Sequence, residues 1–342
     1  MPEPIEPPAR ILEGDSGANT IPVEVTNEEV SGRSAREGRS GLKLYTANEF
    51  DLFDFPPRRF LLEPLILQKS LSMVYAPRGC GKTLFSIGLG WAIATGGRFL
   101  RWTAEEPNPV LYVDGEMPAE DMQERLRNLG KSQGVKNDRE GMFQIASWDA
   151  QGPEGSPPDL STERGRTEIE RQLRPGSLVV LDNVSCLLPT VRDNEADSWS
   201  PTQAWLLRLR RQGFSVLLVH HSGKSGAQRG TSRREDVLDL SISLARPADY
   251  SPEEGARFTL KFPKARHIFG EDVAEIEARY STKPAGEAGK LEGWTWKPLQ
   301  DSIAEQAQQL AAEGLPQREI AEQLGVSQST VCRALKRIKC LT

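Results

Sequence analysis

Residues 72–93, "SMVYAPRGCGKTLFSIGLGWAI", constrain the fold more than any other part of this chain. An apolar run typical of a buried strand leads into a glycine-rich turn, and an apolar, Ala- and Gly-rich helical pattern follows. The turn fits the phosphate-binding pattern GxxxxGK[ST], except that Ala76 stands where the first glycine is expected. Because strand, loop and helix are the context that this motif requires, we predict a nucleotide site. The alternative is a Gly-rich turn that binds no nucleotide.

The residue types in the loop suit a bound polyphosphate. Gly79 and Gly81 let successive backbone N–H groups and the helix N-terminus face the phosphates. Lys82 is placed to reach the β- and γ-phosphates, and the Thr83 hydroxyl to hold Mg²⁺. A methyl group at position 76 need not block the phosphates. The predicted ATP- and Mg²⁺-binding residues of the loop are Ala76, Pro77, Arg78, Gly79, Cys80, Gly81, Lys82, Thr83 and Leu84.

The charge balance argues against nucleic-acid binding by the whole surface. The 342 residues include 43 basic and 48 acidic ones, for a net charge of −5, so any DNA contact must be local. The cysteines form no CxxC pair and accompany a nucleotide motif, which is typical of reduced thiols in the cytosol. Apolar runs are too short for a signal-peptide core or a membrane helix, so we expect a soluble, cytoplasmic protein.

Three regions of the chain differ in pattern. Residues 1–41 contain scattered prolines and charges with little periodicity, and we expect a disordered tail there. Between residues 42 and 299, apolar strand-like runs alternate with helical patterns, which predicts an α/β domain with a mainly parallel sheet. After His221 the runs are joined by short polar turns, which favours an antiparallel extension. Residues 300–342 form a separate, all-helical pattern.

Two of the strand-like runs end in carboxylates. "SLVVLDNVS" delivers Asp182 at the end of a buried strand, and "PVLYVDGEMP" delivers Asp114 and Glu116. Strand ends of this kind face the phosphates in a nucleotide-binding sheet, so we predict Asp182 as the magnesium-side carboxylate and Glu116 as the base that activates water. The alternatives are a turn or helix cap for Asp182 and a solvated turn carboxylate for Glu116.

Together these pieces resemble the RecA-like ATPases, in particular the plasmid-encoded RepA replicative helicases and their phage and mobile-element relatives. The resemblance rests, in order, on "LLEPLILQKSLSMVYAPRGCGKT", "VLYVDGEMP", "VVLDNVS", "LLVHHSGKSGAQRGTSRREDVLD" and "FTLKFPKARH". It implies a RecA-like P-loop core, a six-membered ring and ATP held between neighbouring subunits. It also supports the roles given above to Lys82, Thr83, Asp182 and Glu116.

Two histidines, His220 and His221, end the strand-like run "FSVLLVHHS". Adjacent strand residues point to opposite faces, and no cluster of cysteines or carboxylates with ligand spacing accompanies them, so a shared metal ion is disfavoured. In RecA-like folds the matching strand end lies beside the γ-phosphate and relays its state to a DNA-binding loop. The resemblance therefore implies a histidine that senses hydrolysis, and we assign His220. A strand-end histidine bonded to backbone is the alternative.

A basic segment follows the histidines. Its cations stand among Gly, Ser and Thr without acidic residues, which is typical of a mobile loop that tracks the phosphates of single-stranded DNA in a ring channel. The alternative is a solvated loop. The predicted DNA-binding residues of the segment are Lys224, Arg229, Arg233 and Arg234.

The run "FPKARH" places Lys264 and Arg266 two residues apart on a predicted strand, so both side chains share one face. On an exposed strand such a charge pair would ordinarily carry no function. The resemblance implies that a Lys-x-Arg at this place reaches the neighbouring subunit's ATP as an arginine finger, which stabilises charge on the transferred phosphoryl group.

Residues 302–339 resemble a helix-turn-helix. Pro316 opens a helix, Gly325 supplies the turn, and Ser327 caps a second helix. From Ser327 onward all charged side chains are basic, which gives this helix a local positive charge. A purely structural helical hairpin is the alternative. The predicted DNA-facing residues are Gln328, Ser329, Thr330 and Arg333.

These features together predict an ATP-driven DNA motor, namely a hexameric helicase of plasmid or mobile-element replication. It would hold single-stranded DNA in its ring and duplex DNA at the helix-turn-helix. Two alternatives fit the same features: a non-motor DNA-binding regulator whose ATPase switches assembly, and a RecA-like recombination accessory ATPase. Translocation on single strands separates the motor from the regulator.

Overall fold

A computed structural model describes residues 42–134, 141–152, 154–191, 196–223, 233–286 and 290–339. The described residues fall into two compact units, which divide between residues 57 and 58. The tail predicted to be disordered lies outside the described residues. The domain boundaries at residues 41/42 and 299/300 stay predictions.

The described part of the first unit contains one short helix, α1 (Ala47–Asp51). Glu49 N donates to the Thr46 hydroxyl at 3.2 Å, and the Glu49 carboxylate accepts from Thr46 N at 2.7 Å, which together make a capping box. No residue of α1 is buried. Its cap and a cluster of aromatic rings around it therefore account for its local order. The rings in contact are Tyr45, Phe50, Phe53 and Phe55.

Thirteen strands are described in the second unit. They are β1 (Phe60–Leu62), β2 (Ile66–Leu67), β3 (Leu71–Ala76), β4 (Arg98–Phe99), β5 (Trp102–Thr103), β6 (Val110–Asp114), β7 (Phe143–Ser147), β8 (Leu178–Asp182), β9 (Ser215–His221), β10 (Leu240–Ala245), β11 (Ala256–Ala265), β12 (Ile276–Pro284) and β13 (Leu291–Pro298). Nine of them form one sheet, in the order β13-β12-β11-β10-β3-β9-β8-β6-β7.

The sheet has a parallel and an antiparallel part. From β10 through β3, β9, β8 and β6 to β7 every pairing is parallel, whereas β10 to β13 pair antiparallel. Strands that alternate with helices make the parallel part, and strands joined by loops of ten residues or fewer make the other. The α/β fold class is therefore confirmed, together with the antiparallel extension after His221.

Nine α-helices are described in the second unit. They are α2 (Lys82–Thr95), α3 (Ala119–Gln133), α4 (Glu163–Glu170), α5 (Val184–Leu187), α6 (Ala196–Arg211), α7 (Arg233–Asp236), α8 (Leu299–Ala312), α9 (Gln317–Gln323) and α10 (Gln328–Lys339). Within the described part of the chain, no helix has the length and apolar character needed to cross a membrane.

Alternate residues of the central strand β3 enter two different cores, one on each face of the sheet. Val74 packs on the face that carries α2, and Met73 packs on the opposite face with α6. Helix α2 is apolar nearly all round and is buried over most of its length. A Cβ atom at Gly88 would come within 2.6 Å of the Phe99 ring, so a glycine lets α2 approach that ring.

The last three helices share a small core of their own, made by Ala304, Ala307, Ile320, Ala321, Val331 and Ala334. Helix α8 also connects them to the antiparallel part of the sheet. The buried Ser302 hydroxyl donates to Glu277 at 2.5 Å, and the same carboxylate accepts from Arg257 Nε at 2.9 Å. A buried carboxylate without such donors would be costly, so this network fixes α8 on the sheet.

Candidate functional site

The phosphate loop joins the end of β3 to the start of α2. Gly79 and Gly81 have φ of 71° and 97°, in the left-handed region that favours glycine. A Cβ at Gly81 would also lie 3.3 Å from the Phe258 ring. The loop therefore needs both glycines, for backbone conformation and, at Gly81, for space.

Ala76 does not obstruct the loop. It is fully buried and belongs to the core on the α2 face, so its methyl group packs into the protein. Its carbonyl accepts hydrogen bonds from Lys82 Nζ at 3.1 Å and from Ser222 N at 2.9 Å. Alanine at this position is therefore compatible with a phosphate loop, because the position contributes a carbonyl and a buried methyl group.

Lys82 is the first residue of α2, directly after the phosphate loop. Its Nζ atom donates to the carbonyls of Ala76 and Pro77 at 3.1 and 3.0 Å, and the side chain is almost completely buried. Burial lowers the pKa of the Lys82 ammonium, and the nearby Asp182 carboxylate opposes this shift. The cation is therefore held in a poorly solvated place, where an added anion would interact with it strongly.

Asp182 ends β8 beside the start of α2. Tyr112 donates its hydroxyl to Asp182 at 2.6 Å, and the Thr83 hydroxyl also hydrogen-bonds this carboxylate. Burial raises the pKa of Asp182, and these hydrogen bonds oppose the shift. A threonine hydroxyl paired with a buried carboxylate suits Mg²⁺, which binds oxygen ligands and usually keeps water and phosphate oxygens in its coordination sphere.

Glu116 leaves the sheet next to Asp182 and is exposed to solvent. Asn183 Nδ2 donates to Glu116 Oε2, and the Cys186 thiol lies 3.9 Å from the same oxygen. The strands deliver these residues together, because Asp114 of β6 is in register with Asp182 of β8. The sequence reasoning had missed Asn183, although an Asn just before a helix is a common N-cap signal.

A cavity of about 700 Å³ opens over the loop, which is within the usual range for a ligand of nucleotide size. Helix α3, the start of β11 and the second half of β12 form its side walls. The loop and the strand ends contribute Arg78, Gly79, Gly81, Lys82, Thr83, Leu84, Asp114, Glu116, Asp182, Asn183 and His221 to its lining. Of the predicted loop residues, Pro77 is exposed outside the cavity lining and Cys80 is buried in the core.

Asp114 is a buried carboxylate beside the predicted magnesium-side residue. Burial and then the neighbouring Asp182 raise its pKa from the ordinary 3.8 to about 6, and the backbone N–H of Met117, 3.2 Å away, opposes the shift. The folded protein therefore binds this proton more tightly than the unfolded chain does.

This pKa shift predicts a pH-dependent stability difference between the wild type and Asp114→Asn. Ionised Asp114 destabilises the fold, so its cost is absent below about pH 4 and complete above about pH 6. Asparagine keeps an acceptor for Met117 N without the charge. We expect the variant's thermal midpoint to gain about 5–10 °C on the wild type between pH 4 and pH 7, the change that about 2–3 kcal/mol produces. A difference that stays constant with pH would contradict this assignment.

His220 does not face the cavity, so its assignment as the phosphate sensor is wrong for this conformation. It is fully buried, and its Nε2 atom accepts from Arg234 Nη1 at 2.8 Å, whereas His221 lines the cavity. The prediction failed because β9 lies between two other strands and is apolar on both faces up to His220. Such a strand has no alternation to show which histidine turns towards the phosphates.

Arg234 is also misassigned, because it is only 1% exposed and cannot contact DNA in this conformation. Its guanidinium stacks over the Trp199 ring, 4.9 Å from the centroid, and bonds His220. The arginine therefore packs between β9 and α6. Lys224, Arg229 and the side chain of Arg233 lie outside the described residues.

Lys264 and Arg266 reach the same short helix, as their two-residue spacing predicts. Lys264 Nζ donates to the carbonyl of Glu235 and, at 3.3 Å, to that of Asp236. Arg266 Nη2 donates to the Asp236 carbonyl at 2.9 Å, and the Arg266 side chain is exposed. Neither residue lines the cavity of its own chain.

Helices α9 and α10 have the features expected of a helix-turn-helix. The Ser327 hydroxyl accepts from Thr330 N at 3.2 Å, which caps α10. Gln328 and Ser329 are exposed at the first turn, and Thr330 is half-buried. Arg333 is exposed, and its guanidinium lies 3.4 Å from the Thr330 hydroxyl, along its own helix. The start of α10 is therefore available to a ligand.

The chain matches the AAA domain family over residues 38–227 and the homeodomain-like domain family over residues 303–341. Since the first match spans more than half of the chain, the protein belongs to the AAA domain family, and it carries a C-terminal helix-turn-helix. The predicted resemblance to RepA-type P-loop ATPases with such a domain is confirmed. It is an ATPase with a DNA-binding domain. No curated protein matches it significantly.

Proposed function

We propose that this ATPase is a DNA motor, a hexameric helicase of plasmid or mobile-element replication that hydrolyses ATP at subunit interfaces. The observation that carries the proposal is the position of Arg266. Its guanidinium is exposed and lies outside its own cavity, next to Lys264. A cation displayed in this way suits insertion into a neighbouring subunit's ATP site, where it would stabilise the transferred phosphoryl group.

The residues within one chain divide the proposed reaction between them. The loop N–H groups and the Lys82 ammonium bind the phosphates, and the Glu116 carboxylate takes the proton of the attacking water. Thr83 and Asp182 would hold Mg²⁺, which supplies neutralisation of phosphate charge when bound. His221 replaces His220 as our candidate sensor, because it lines the cavity and is the last residue of β9, just before the basic segment in the sequence.

Strand separation tests the motor directly. We expect the wild type to unwind a forked DNA duplex with ATP and Mg²⁺, and to leave it paired without ATP. Lys82→Ala is the matched negative control, since it removes only the phosphate-binding cation. Tight DNA binding and ATP turnover without unwinding or movement on single strands would contradict the motor.

That last outcome would favour the second candidate, a regulator whose ATPase switches DNA binding or assembly. One observation supports it: the buried contact between Ser302 and Glu277 holds α8 on the sheet of the ATPase core. The helix-turn-helix domain is therefore packed on the ATPase core. A domain held in this way, rather than tethered by a linker, could transmit conformational changes of the core to the affinity for DNA.

The helix-turn-helix proposal predicts a selective loss in Arg333→Ala. If Arg333 contacts a base edge, the substitution should weaken duplex binding by about 1–3 kcal/mol and reduce sequence preference. Fluorescence anisotropy at fixed salt measures both, and basal ATP turnover should not change. Arg171→Ala removes an exposed charge at the end of α4 and serves as the control. Uniform weakening with a flatter salt dependence would instead indicate a phosphate contact.

A further inference from the structure

Asn183 sits at the point where the sheet meets the proposed catalytic carboxylate. It directly follows β8, lines the cavity and is only 2% exposed. Its Oδ1 atom accepts from Cys186 N at 3.1 Å, which makes it the N-cap of α5, and its Nδ2 atom donates to Glu116 Oε2. One amide therefore joins the start of a helix to Glu116.

The cap fixes which end of the amide meets Glu116. A backbone N–H needs an acceptor, so the amide oxygen must face Cys186 N, and the NH₂ group is left to point at the carboxylate. The backbone supports the same arrangement, since Gly115 N donates to the Asp182 carbonyl at 2.9 Å. That bond ties the residue before Glu116 to the residue before Asn183.

We propose that Asn183 is a positioning residue, which holds the Glu116 carboxylate by Oε2 so that Oε1 is presented to the attacking water. This inference rests on the proposed role of Glu116 as the catalytic base. In the described part of the chain, both side-chain contacts of Glu116 go to Oε2.

Three substitutions separate this role from that of the cap. Asn183→Ser and Asn183→Asp keep an oxygen that caps α5 and lose the amide N–H at the Nδ2 position, which the shorter serine hydroxyl does not reach, whereas Asn183→Ala loses both groups. We expect Asn183→Ser to lower kcat about 10-fold or more, with little change in the KM for ATP or in the thermal midpoint. Asn183→Ala should lower the thermal midpoint as well, by about 2–4 °C.

The pH dependence gives a readout that a purely structural role would not move. Asn183→Asp is nearly isosteric but places a second carboxylate against Glu116, and two adjacent carboxylates resist double ionisation. The acidic limb of its kcat–pH profile should therefore shift to higher pH. Activity is then lost on the acidic side of the profile, whereas a general instability at alkaline pH would lower the other side. Asn183→Ser, which adds no charge, serves as the comparison.

A double-mutant cycle with Glu116→Gln completes the test. If Asn183 acts through Glu116, Asn183→Ser should cost about 10-fold in the wild-type background and nothing further in Glu116→Gln. Unchanged kcat and pH profile in Asn183→Ser and Asn183→Asp, beside an inactive Glu116→Gln, would overturn the positioning role alone. Normal turnover in Glu116→Gln would overturn both that role and the proposed base. Higher kcat in Asn183→Ser would also refute the inference.

Discussion

Replacing Lys82 with alanine is expected to reduce ATP turnover to background. The proposed reaction uses this ammonium at the β- and γ-phosphates, where charge develops as the phosphoryl group leaves. One preorganised donor of this kind contributes about 10²–10³ to kcat, and weaker nucleotide binding adds to the loss. We therefore expect kcat/KM to fall by about 10³-fold or more, as measured by phosphate release.

Unfolding should not explain that loss. Burial lowers the pKa of the Lys82 ammonium, so the free protein holds this charge at a cost in free energy. The thermal midpoint of Lys82→Ala should therefore equal or exceed that of the wild type in the absence of nucleotide. Lys131→Ala, at an exposed position of α3, removes the same charge elsewhere and should keep full turnover. Wild-type turnover in Lys82→Ala would contradict the assignment of the loop.

Local patterns were enough to predict the parallel core. The loop after β3 follows from residues adjacent in sequence, because a strand, a glycine turn and a helix N-terminus together define it. The start of α10 is equally local, since Ser327 caps the helix whose first turn it precedes. Sequence reasoning works where the side chain and the backbone that it contacts lie a few residues apart.

The errors come from contacts between residues that are distant in sequence. Arg234 looked like part of an exposed basic loop, but the Trp199 ring and His220 enclose it. The sequence around Ser302 likewise does not indicate that its hydroxyl hydrogen-bonds Glu277 inside the protein. Nothing in the local pattern distinguishes a buried arginine from a solvated one, because the partner that makes burial tolerable lies in another element.

Arg266→Ala is expected to lower ATP turnover by about 10³-fold or more while nucleotide binding changes much less. The reason is that the proposed finger acts on the phosphoryl group of a neighbouring subunit and not on the binding loop of its own. The structure also supplies a competing explanation within one chain, since Arg266 Nη2 donates to the Asp236 carbonyl at 2.9 Å. Loss of that bond could disturb α7 without any role at an interface.

Mixing two inactive variants separates these explanations. Arg266→Ala keeps an intact phosphate loop, and Lys82→Ala keeps an intact Arg266. If Arg266 acts on its neighbour, mixed rings contain some interfaces that pair an intact loop with an intact finger, and part of the turnover should return. The restored fraction should vary with the mixing ratio, because that ratio sets how often such an interface forms.

If Arg266 only stabilises α7 in its own chain, every subunit carries a defect that affects its own site, and mixing should restore nothing. Mass measurement of the mixed oligomers provides the control. Failure to restore activity when mixed oligomers are present would refute the trans role of Arg266. The exposed position of Arg266 would then no longer support the ring motor.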